Sequence, residues 1–400
     1  MSAIDAAIDL PTRIWNKRFT SVFIANACMY LAQQMMNSLI AKYADHLGAP
    51  ATIVGVVVSM FAVTALLLKI FSGPAIDTFN RRYILIIAMS VMALAFFGYS
   101  LSHNIPTLMM FRLLQGSSQA FTATCCLALA ADTLPPNRIA SGIGVFSTAQ
   151  AASQAIGPTV ALTLMAHIGY NATFMIGGCM MFFAAFMASR INIPFVKTKE
   201  FRISLHNIVA KEALLPAIIM FFLSMTACVI SSFLILFAGV QHVSNIGYYF
   251  TVYAGTLLIT RPLAGRLTDR HGLVRVLIPA MFIFAGAFIL ISYSASLPMF
   301  LLAAFVSAFG YGACQPAIQT FSMKCVSTER RGAASSTNYI GTDLGNLTGP
   351  VIAGFLVDHI GYAPMWRIML FPAGIALVLV LANRRKIDQK FLPHDNPERH

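Results

Sequence analysis

Long apolar runs separated by short polar turns fill almost the whole chain. A helix that crosses a bilayer needs about 20 consecutive, mostly apolar residues. Runs of that length recur along the sequence, and turn-forming residues such as Pro135-Pro136-Asn137 lie between them. The pattern therefore predicts an all-α membrane protein. Its twelve predicted transmembrane spans are, in order, 19–43, 51–72, 83–102, 106–130, 139–166, 170–191, 213–240, 247–266, 273–295, 298–323, 333–357 and 363–383.

The composition supports a surface that faces lipid. Hydrophobic residues make up 58% of the 400 residues and charged residues only 10%, whereas soluble proteins carry about 25% charged residues. A net charge of +13 would suggest nucleic-acid binding in a soluble protein. Here the basic residues fall in short segments between apolar runs, so we expect no nucleic-acid partner. The seven cysteines lack the spacing of a metal site or a disulfide framework, and we expect no metal.

The distribution of Lys and Arg predicts the orientation. In membrane proteins, Lys and Arg concentrate in cytoplasmic loops. With twelve spans, 22 Lys and Arg residues fall on one side and only two, Lys42 and Arg367, on the other. We therefore predict a cell (inner) membrane protein with both termini and the central connection in the cytoplasm.

An internal repeat with an offset of 192 residues divides the chain. We predict two pseudo-symmetric six-helix bundles, 1–191 and 213–400, joined by a cytoplasmic linker, 192–212. Parallel repeats of this kind build transporters whose substrate site lies near the midplane between the halves. The repeated pairs are Lys69 and Arg261, Gly73 and Gly265, Asp77 and Asp269, Gly157 and Gly349, and Pro158 and Pro350.

The segments that follow spans 2 and 8 resemble the signature loop of the major facilitator superfamily, and the resemblance covers the whole chain. One reads Gly265-Arg266-Leu267-Thr268-Asp269-Arg270-His271-Gly272, and the other runs from Gly73 to Arg82 with Thr78 and Asn80 in place of the family's basic residue and Gly. The resemblance implies a cytoplasmic gate in which Asp77 contacts the start of span 11. A tight turn that carries only topology charges is the alternative. The gating candidates are Gly73, Asp77, Arg81, Arg82, Gly265, Asp269, Arg270 and Gly272.

Two further patterns resemble the drug:proton antiporter and small-molecule exporter branch of this superfamily. Span 4 begins with Arg112-Leu113-Leu114-Gln115-Gly116, similar to the pattern of proton-coupled members. An Arg in a span is costly unless it is paired or hydrated, so both a coupling role and a structural role stay open. Spans 5 and 11 carry a degraded antiporter pattern of small residues and Pro, which lets helices approach and bend. Export is favoured, and helix packing by small residues alone is the alternative source of part of the pattern. Its members are Gly144, Gly157, Pro158, Gly345, Gly349 and Pro350.

Asp343 is the one carboxylate that the predicted spans place deep in the membrane. It lies roughly 15 Å into span 11, at 1.5 Å per residue. A charged Asp at that depth costs about 2.5–3.5 kcal/mol on insertion scales. Asp343 could therefore bind a proton facing one side and release it facing the other, with Arg261 and Lys69 as candidate basic partners; Arg112 is a separate proton-coupling candidate. The alternative is a static ion pair. The family often places its proton carboxylate on span 1, which lacks one here.

Polar residues at helical spacing should face a water-filled cavity or a neighbouring helix, because buried amides are expensive in lipid. We favour a substrate cavity. The resemblance implies that spans 1, 4, 7 and 10 line this cavity. None of these four spans holds a carboxylate, which fits a neutral, zwitterionic, anionic or amphipathic solute. The cavity candidates are Asn26, Tyr30, Gln33, Gln34, Asn37, Gln115, Gln119, Tyr311, Gln315 and Gln319.

Together these features predict a secondary active transporter that works by alternating access, with proton-coupled efflux of a small organic compound as the favoured activity. Proton-coupled uptake or exchange of a metabolite is the alternative, and a membrane receptor or enzyme a remote one. The sequence has no paired carboxylates, nucleophile elbow or nucleotide-binding loop. We expect no catalytic residue and no cofactor, with the proton gradient as the energy source. The expected partners are a small-molecule substrate and membrane lipid, and we expect the protein to be a monomer.

Overall fold

A computed structural model describes residues 13–135, 139–191, 210–326 and 330–389. Helices account for the regular structure of these segments, as predicted. Their bounds are α1 Lys17–His46, α2 Ala51–Thr78, α3 Arg81–Leu101, α4 Ile105–Asp132, α5 Ile139–Ser189, α6 Leu214–Val240, α7 Gly247–His271, α8 Leu273–Tyr293, α9 Leu297–Lys324, α10 Arg331–Ile360, α11 Tyr362–Ile368, α12 Leu370–Ala382 and α13 Arg384–Gln389. Residues 192–209 of the predicted linker lie outside the described segments.

The helices reproduce the twelve predicted spans. Helices α1 to α4 are spans 1 to 4, and α6 to α10 are spans 7 to 11. Spans 5 and 6 are the two parts of α5, which is interrupted at Gly169 by non-helical backbone angles. Span 12 consists of α11 and α12. In the described residues, eight helical segments have the length and hydropathy of a span, with α5 as one of them. Helices α1, α4 and α7, which hold many of the candidate polar residues, are not among the eight.

The two segments predicted as signature loops are helical, which corrects the sequence interpretation. Helix α2 continues through Gly73 to Thr78, and α7 continues through Gly265 to His271. Intrahelical bonds satisfy the backbone polar groups of these residues. Both helices end further along the chain. Asn80 caps α3, since its side chain accepts a hydrogen bond from the Arg82 amide at 3.0 Å. Gly272, with φ of 85°, separates α7 from α8.

Equivalent turns in the two halves of the sequence have the same backbone conformation. Gly169 has φ 80° and ψ 175°, and Gly361, which lies 192 residues later, has φ 80° and ψ 174°. Ser102 and Ser294, also 192 residues apart, both end a helix and both donate a side-chain hydrogen bond to the carbonyl four residues earlier. The repeat seen in the sequence is therefore present in the local structure.

Contacts group the residues into two compact units. The first comprises Met1–Met36 and Leu67–Ile203, and the second Asn37–Leu66 and Ser204–His400. In the first unit α3 packs on α4 and α5. In the second α6 packs on α10, and α9 packs on α7 and α8. The division at the central connection, into 1–191 and 213–400, stays a prediction.

A row of glycines brings α10 against α6 in the second unit. Gly341, Gly345 and Gly349 are spaced by four residues and lie on one face of α10. A Cβ atom at each of them would overlap a backbone carbonyl of α6. Those carbonyls belong to Ala217, Phe221 and Met225, which are also spaced by four residues. Small residues are what allow two membrane helices to approach this closely.

Substituting Gly345 with Ala is therefore expected to destabilise the protein. The added methyl would meet the Phe221 carbonyl and the Met225 amide, and overpacking of this kind costs about 1–3 kcal/mol. Thermal unfolding of the purified protein in detergent measures the effect. Gly286→Ala is the matched control, because a Cβ on this α8 glycine meets nothing within 4 Å. Equal unfolding temperatures for the two variants would show that the contact is not tight.

Candidate functional site

In the first unit, a buried Arg lies within a span, held in part by neutral groups. Arg112 on α4 is 1% exposed. Its Nη1 donates a hydrogen bond to Gln115 Oε1 at 2.7 Å, one helical turn further on. The hydroxyl of Tyr99 on α3 donates to the same oxygen at 2.5 Å. Because Tyr99 and Gln115 are both fully buried, this cluster is sealed within the first unit.

Replacing Gln115 with Leu is expected to destabilise this cluster. The substitution removes an acceptor from a buried guanidinium, and hydrogen bonds to charged groups contribute about 1.5–3 kcal/mol. Tyr99→Phe is the matched comparison, because it leaves the Arg112–Gln115 bond in place and should cost about 1 kcal/mol. Unfolding temperatures in detergent give the ranking. A loss for Tyr99→Phe as large as that for Gln115→Leu would show that the Arg112–Gln115 bond adds nothing.

The predicted cavity amides of the first unit have different surroundings. Gln33 is 6% exposed, and its Nε2 lies 3.2 Å from the Met92 sulfur of α3, so it packs against a neighbouring helix. Asn26 donates to the Phe146 carbonyl at 3.5 Å. In the described segments, Asn26 Oδ1 and Gln119 Oε1 are buried and have no hydrogen-bond partner. Tyr30 and Gln34 on α1 are half-buried, and so is Asn37, which belongs to the second unit.

The second unit places its polar candidates between α7 and α9. Arg261 on α7 is half-buried, and its Nη2 donates to Gln315 Oε1 on α9 at 3.1 Å. Two turns earlier on α7 lies Tyr253, which is close enough to Arg261 and Tyr311 to interact with them electrostatically. Gln319 is also half-buried, one turn after Gln315. Arg261 thus bonds to a cavity candidate rather than to Asp343.

Asp343 is half-buried on α10, in the same unit. Counting from the first residue of α10, Arg331, it lies roughly 18 Å along the helix at 1.5 Å per residue. One turn earlier Tyr339 lies close enough for an electrostatic interaction with its carboxylate. The other basic partner expected for Asp343, Lys69, is half-buried on α2.

Two gating candidates of the first unit, Arg81 and Arg82, tie helix ends together. Arg81 Nη1 forms an ion pair with Asp132 Oδ2 at 2.6 Å, at the end of α4. Arg82 Nη2 donates to the Ser189 carbonyl at 2.6 Å, at the end of α5. These contacts involve α3, α4 and α5, and sequence reasoning had not identified Asp132.

The remaining motif residues are placed as follows. Arg270 is exposed at the end of α7. A Cβ at Gly265 would meet nothing within 4 Å, so none of the described helices approaches Gly265 closely. Gly157 contacts Gln34 of α1. The structure does not describe the surroundings of Gly73 and Gly144 or the side chains of Asp77 and Asp269.

Asp358 is a further polar residue that sequence reasoning missed. It lies near the end of α10 and holds the start of α2. Its Oδ1 accepts the Ala51 amide at 2.9 Å, and its Oδ2 accepts the Thr52 amide at 2.7 Å and the Thr52 hydroxyl at 2.6 Å. This is an N-terminal cap supplied by another helix. Two glycines allow the approach: Gly354 contacts the Ala51 backbone and Gly55 the Pro350 backbone.

Comparison with protein families decides the identity of the fold. Residues 22–245 and 214–399 match the profile of the Major Facilitator Superfamily. The chain belongs to this superfamily. Membership confirms the all-α fold with twelve spans, and it makes this major facilitator protein an integral membrane transporter rather than an enzyme.

Similar proteins extend over nearly the whole of this major facilitator chain. Multidrug resistance protein MdtG of Klebsiella pneumoniae (strain 342) is 23% identical over 100% of this chain and 99% of its own length. Multidrug resistance protein 1 of Bacillus subtilis (strain 168) is 25% identical over 90% of this chain and 94% of its own length. The crystal structure of a mutant of the nucleoside transporter NupG superposes with a TM-score of 0.80 at 13% identity, covering 92% of this chain and 99% of that one. This last likeness supports the fold alone.

Proposed function

We propose that this protein is a secondary active transporter that exports a small organic compound in exchange for protons by alternating access. The observation that carries the proposal is Asp343, a half-buried carboxylate about 18 Å along a membrane-spanning helix. Since an intramembrane carboxylate is costly in its charged form, Asp343 is a functional candidate by default, and we infer that its function is proton relay.

Buried polar atoms without partners support solute binding. In the described segments, Asn26 Oδ1 and Gln119 Oε1 in the first unit, and Arg261 Nε and Asn338 Oδ1 in the second, are buried without a hydrogen bond. Such atoms cost free energy unless a solute or water satisfies them. A transporter gains from this arrangement, because a polar substrate can supply the missing bonds.

The direction of transport rests on the relatives. Two of them are named multidrug resistance proteins, and the degraded antiporter pattern in spans 5 and 11 agrees with export. Metabolite uptake or exchange is the alternative. The distribution of Lys and Arg further supports the inner membrane and cytoplasmic termini.

Proton flux in inside-out membrane vesicles tests the proposal. Respiration acidifies the lumen, and a broad panel of organic compounds is then added one at a time. Export with proton antiport predicts that a substrate releases protons from the lumen of vesicles that contain the protein, and not from vesicles that lack it. Counterflow of a labelled compound without proton movement would overturn proton coupling and leave facilitated exchange. Proton entry into the lumen together with a compound would indicate uptake.

A further inference from the structure

A polar seam runs between α7 and α9 in the second unit. On α9 its residues are spaced by four, and on α7 by multiples of four, so each set lies on one helical face. The seam therefore consists of three successive levels, each with one residue from either helix. The levels are Tyr249 with Ser307, Tyr253 with Tyr311, and Arg261 with Gln315.

The first level is closed. Tyr249 and Ser307 are both fully buried, and their hydroxyl oxygens lie 2.9 Å apart. Each hydroxyl therefore has its partner within the protein. Tyr249 also stacks on Tyr253, with ring centroids 6.2 Å apart and planes inclined by 14°. This level is a structural anchor that fixes the orientation of Tyr253 and leaves nothing for a ligand.

The other two levels keep unused binding capacity. Tyr253, Tyr311, Gln315 and Arg261 are all half-buried. A guanidinium has five N–H donors; the Nη2 of Arg261 engages Gln315, and its Nε is buried without a partner among the described residues. The open end of the seam thus presents a cation beside two phenol rings.

The charge of Arg261 is not compensated by Gln315, because a neutral amide supplies an acceptor and no negative charge. Arg330 of this unit forms an ion pair with Glu212, whereas the hydrogen bond described for Arg261 is to the neutral Gln315. An arginine within a membrane span is costly unless an anion or water accompanies it. Guanidinium groups bind carboxylates with strong, often bidentate, hydrogen bonds.

We propose that Arg261 is the binding site for a carboxylate group of the transported compound, with Tyr253 and Tyr311 against its apolar part. Gln315 acts as a positioning residue, since it holds the guanidinium from the α9 side. The inference rests on the proposed transport function and assigns its substrate class: an amphipathic organic acid. It also separates Arg261 from Asp343, so that one residue binds the solute and the other binds the proton.

Binding to the purified full-length protein in detergent tests the assignment. The probes are 1-naphthoate, indole-3-acetate and 4-phenylbutyrate, each paired with its uncharged carboxamide. We expect the carboxylate of at least one pair to bind about tenfold or more tighter than its carboxamide, as the loss of a charged hydrogen bond implies. Arg261→Gln should reduce that ratio to about one. Arg261→Lys should retain part of the preference, because Lys keeps the positive charge but cannot form the bidentate hydrogen bonds of a guanidinium. Unfolding temperatures without ligand control for folding.

Several outcomes would overturn the inference. One is that no pair shows a carboxylate preference in the wild-type protein. Another is that the preference survives in Arg261→Gln. A third is stabilisation of the wild type by chloride or phosphate equal to that by the carboxylates, which would make this a site for inorganic anions. Loss of proton release with charged and neutral compounds alike in Arg261→Gln would make Arg261 a coupling residue. Failure of the transport proposal looks different: carboxylate binding would still depend on Arg261, while no compound released protons in wild-type vesicles.

Discussion

Vesicles that contain Asp343→Asn are expected to show no compound-driven proton release, at a normal yield of folded protein. Asn has nearly the same shape as Asp, but its neutral amide does not bind or release a proton near neutral pH. Since Asp343 is half-buried on α10, a neutral amide is tolerated there more easily than a charge. The rate of lumenal proton release after addition of a substrate should fall to that of vesicles without the protein. Exchange of labelled for unlabelled compound should persist, because it needs no net proton transfer.

Asp45→Asn is the matched control, since Asp45 is an exposed carboxylate near the end of α1. This variant should release protons as the wild type does. Normal proton release in Asp343→Asn would contradict the assignment and return Asp343 to the alternative of a static ion pair. Loss of both exchange and proton release would assign Asp343 to substrate binding or to the conformational change of the transporter rather than to proton transfer.

The spans could be predicted from the sequence because hydrophobic length is a local property. Each apolar run is long enough to cross a bilayer by itself, and the runs correspond to the helices of the structure. Their ends were less predictable. The segment from Gly73 to Thr78 contains Gly, Pro and a charge, which are typical of turns, yet α2 continues through it. The next helix begins at the cap that the side chain of Asn80 provides.

The chemistry of the site could be predicted, but the partners of each residue could not. Helical spacing places Gln33 on a polar face, yet a small rotation of α1 determines whether it meets a cavity or Met92 of α3. In the same way Arg261 was expected beside Asp343 and bonds to Gln315. Residue spacing fixes which side chains share a face, whereas the rotation of each helix about its axis depends on packing between helices that are distant in sequence.

Asp358 is another residue whose partner could not be predicted from the sequence. It lies near the end of span 11 in the sequence, where a charged residue is ordinary. Its role depends on the arrival of the start of α2, which is about 300 residues away along the chain. Gly354 and Gly55 permit the close approach of the two helices, but small residues are too common in membrane spans to identify a partner from the sequence.

Replacing Asp358 with Ala is expected to release the start of α2. The substitution removes three hydrogen bonds, from the Ala51 amide and from the Thr52 amide and hydroxyl. Loss of an N-terminal cap costs about 0.5–2 kcal/mol, so hydrogen exchange at these two amides should accelerate by roughly threefold to thirtyfold. Mass spectrometry of a peptide that covers 47–60 measures this. A peptide from α8 is the internal reference, because Leu273–Tyr293 should exchange as in the wild type.

Asp358→Asn gives the graded comparison. Its single side-chain oxygen can still accept one of the amides, and Asn is a good cap residue, so its exchange rate should fall between those of the wild type and Asp358→Ala. The ordering matters more than the size of either change, because a general loosening of the second unit would affect both variants and the α8 peptide alike. Unchanged exchange at 47–60 in Asp358→Ala would mean that the glycine contacts alone hold α2 on α10. Faster exchange confined to that peptide would show that one carboxylate holds the end of a membrane helix that is far from it in sequence.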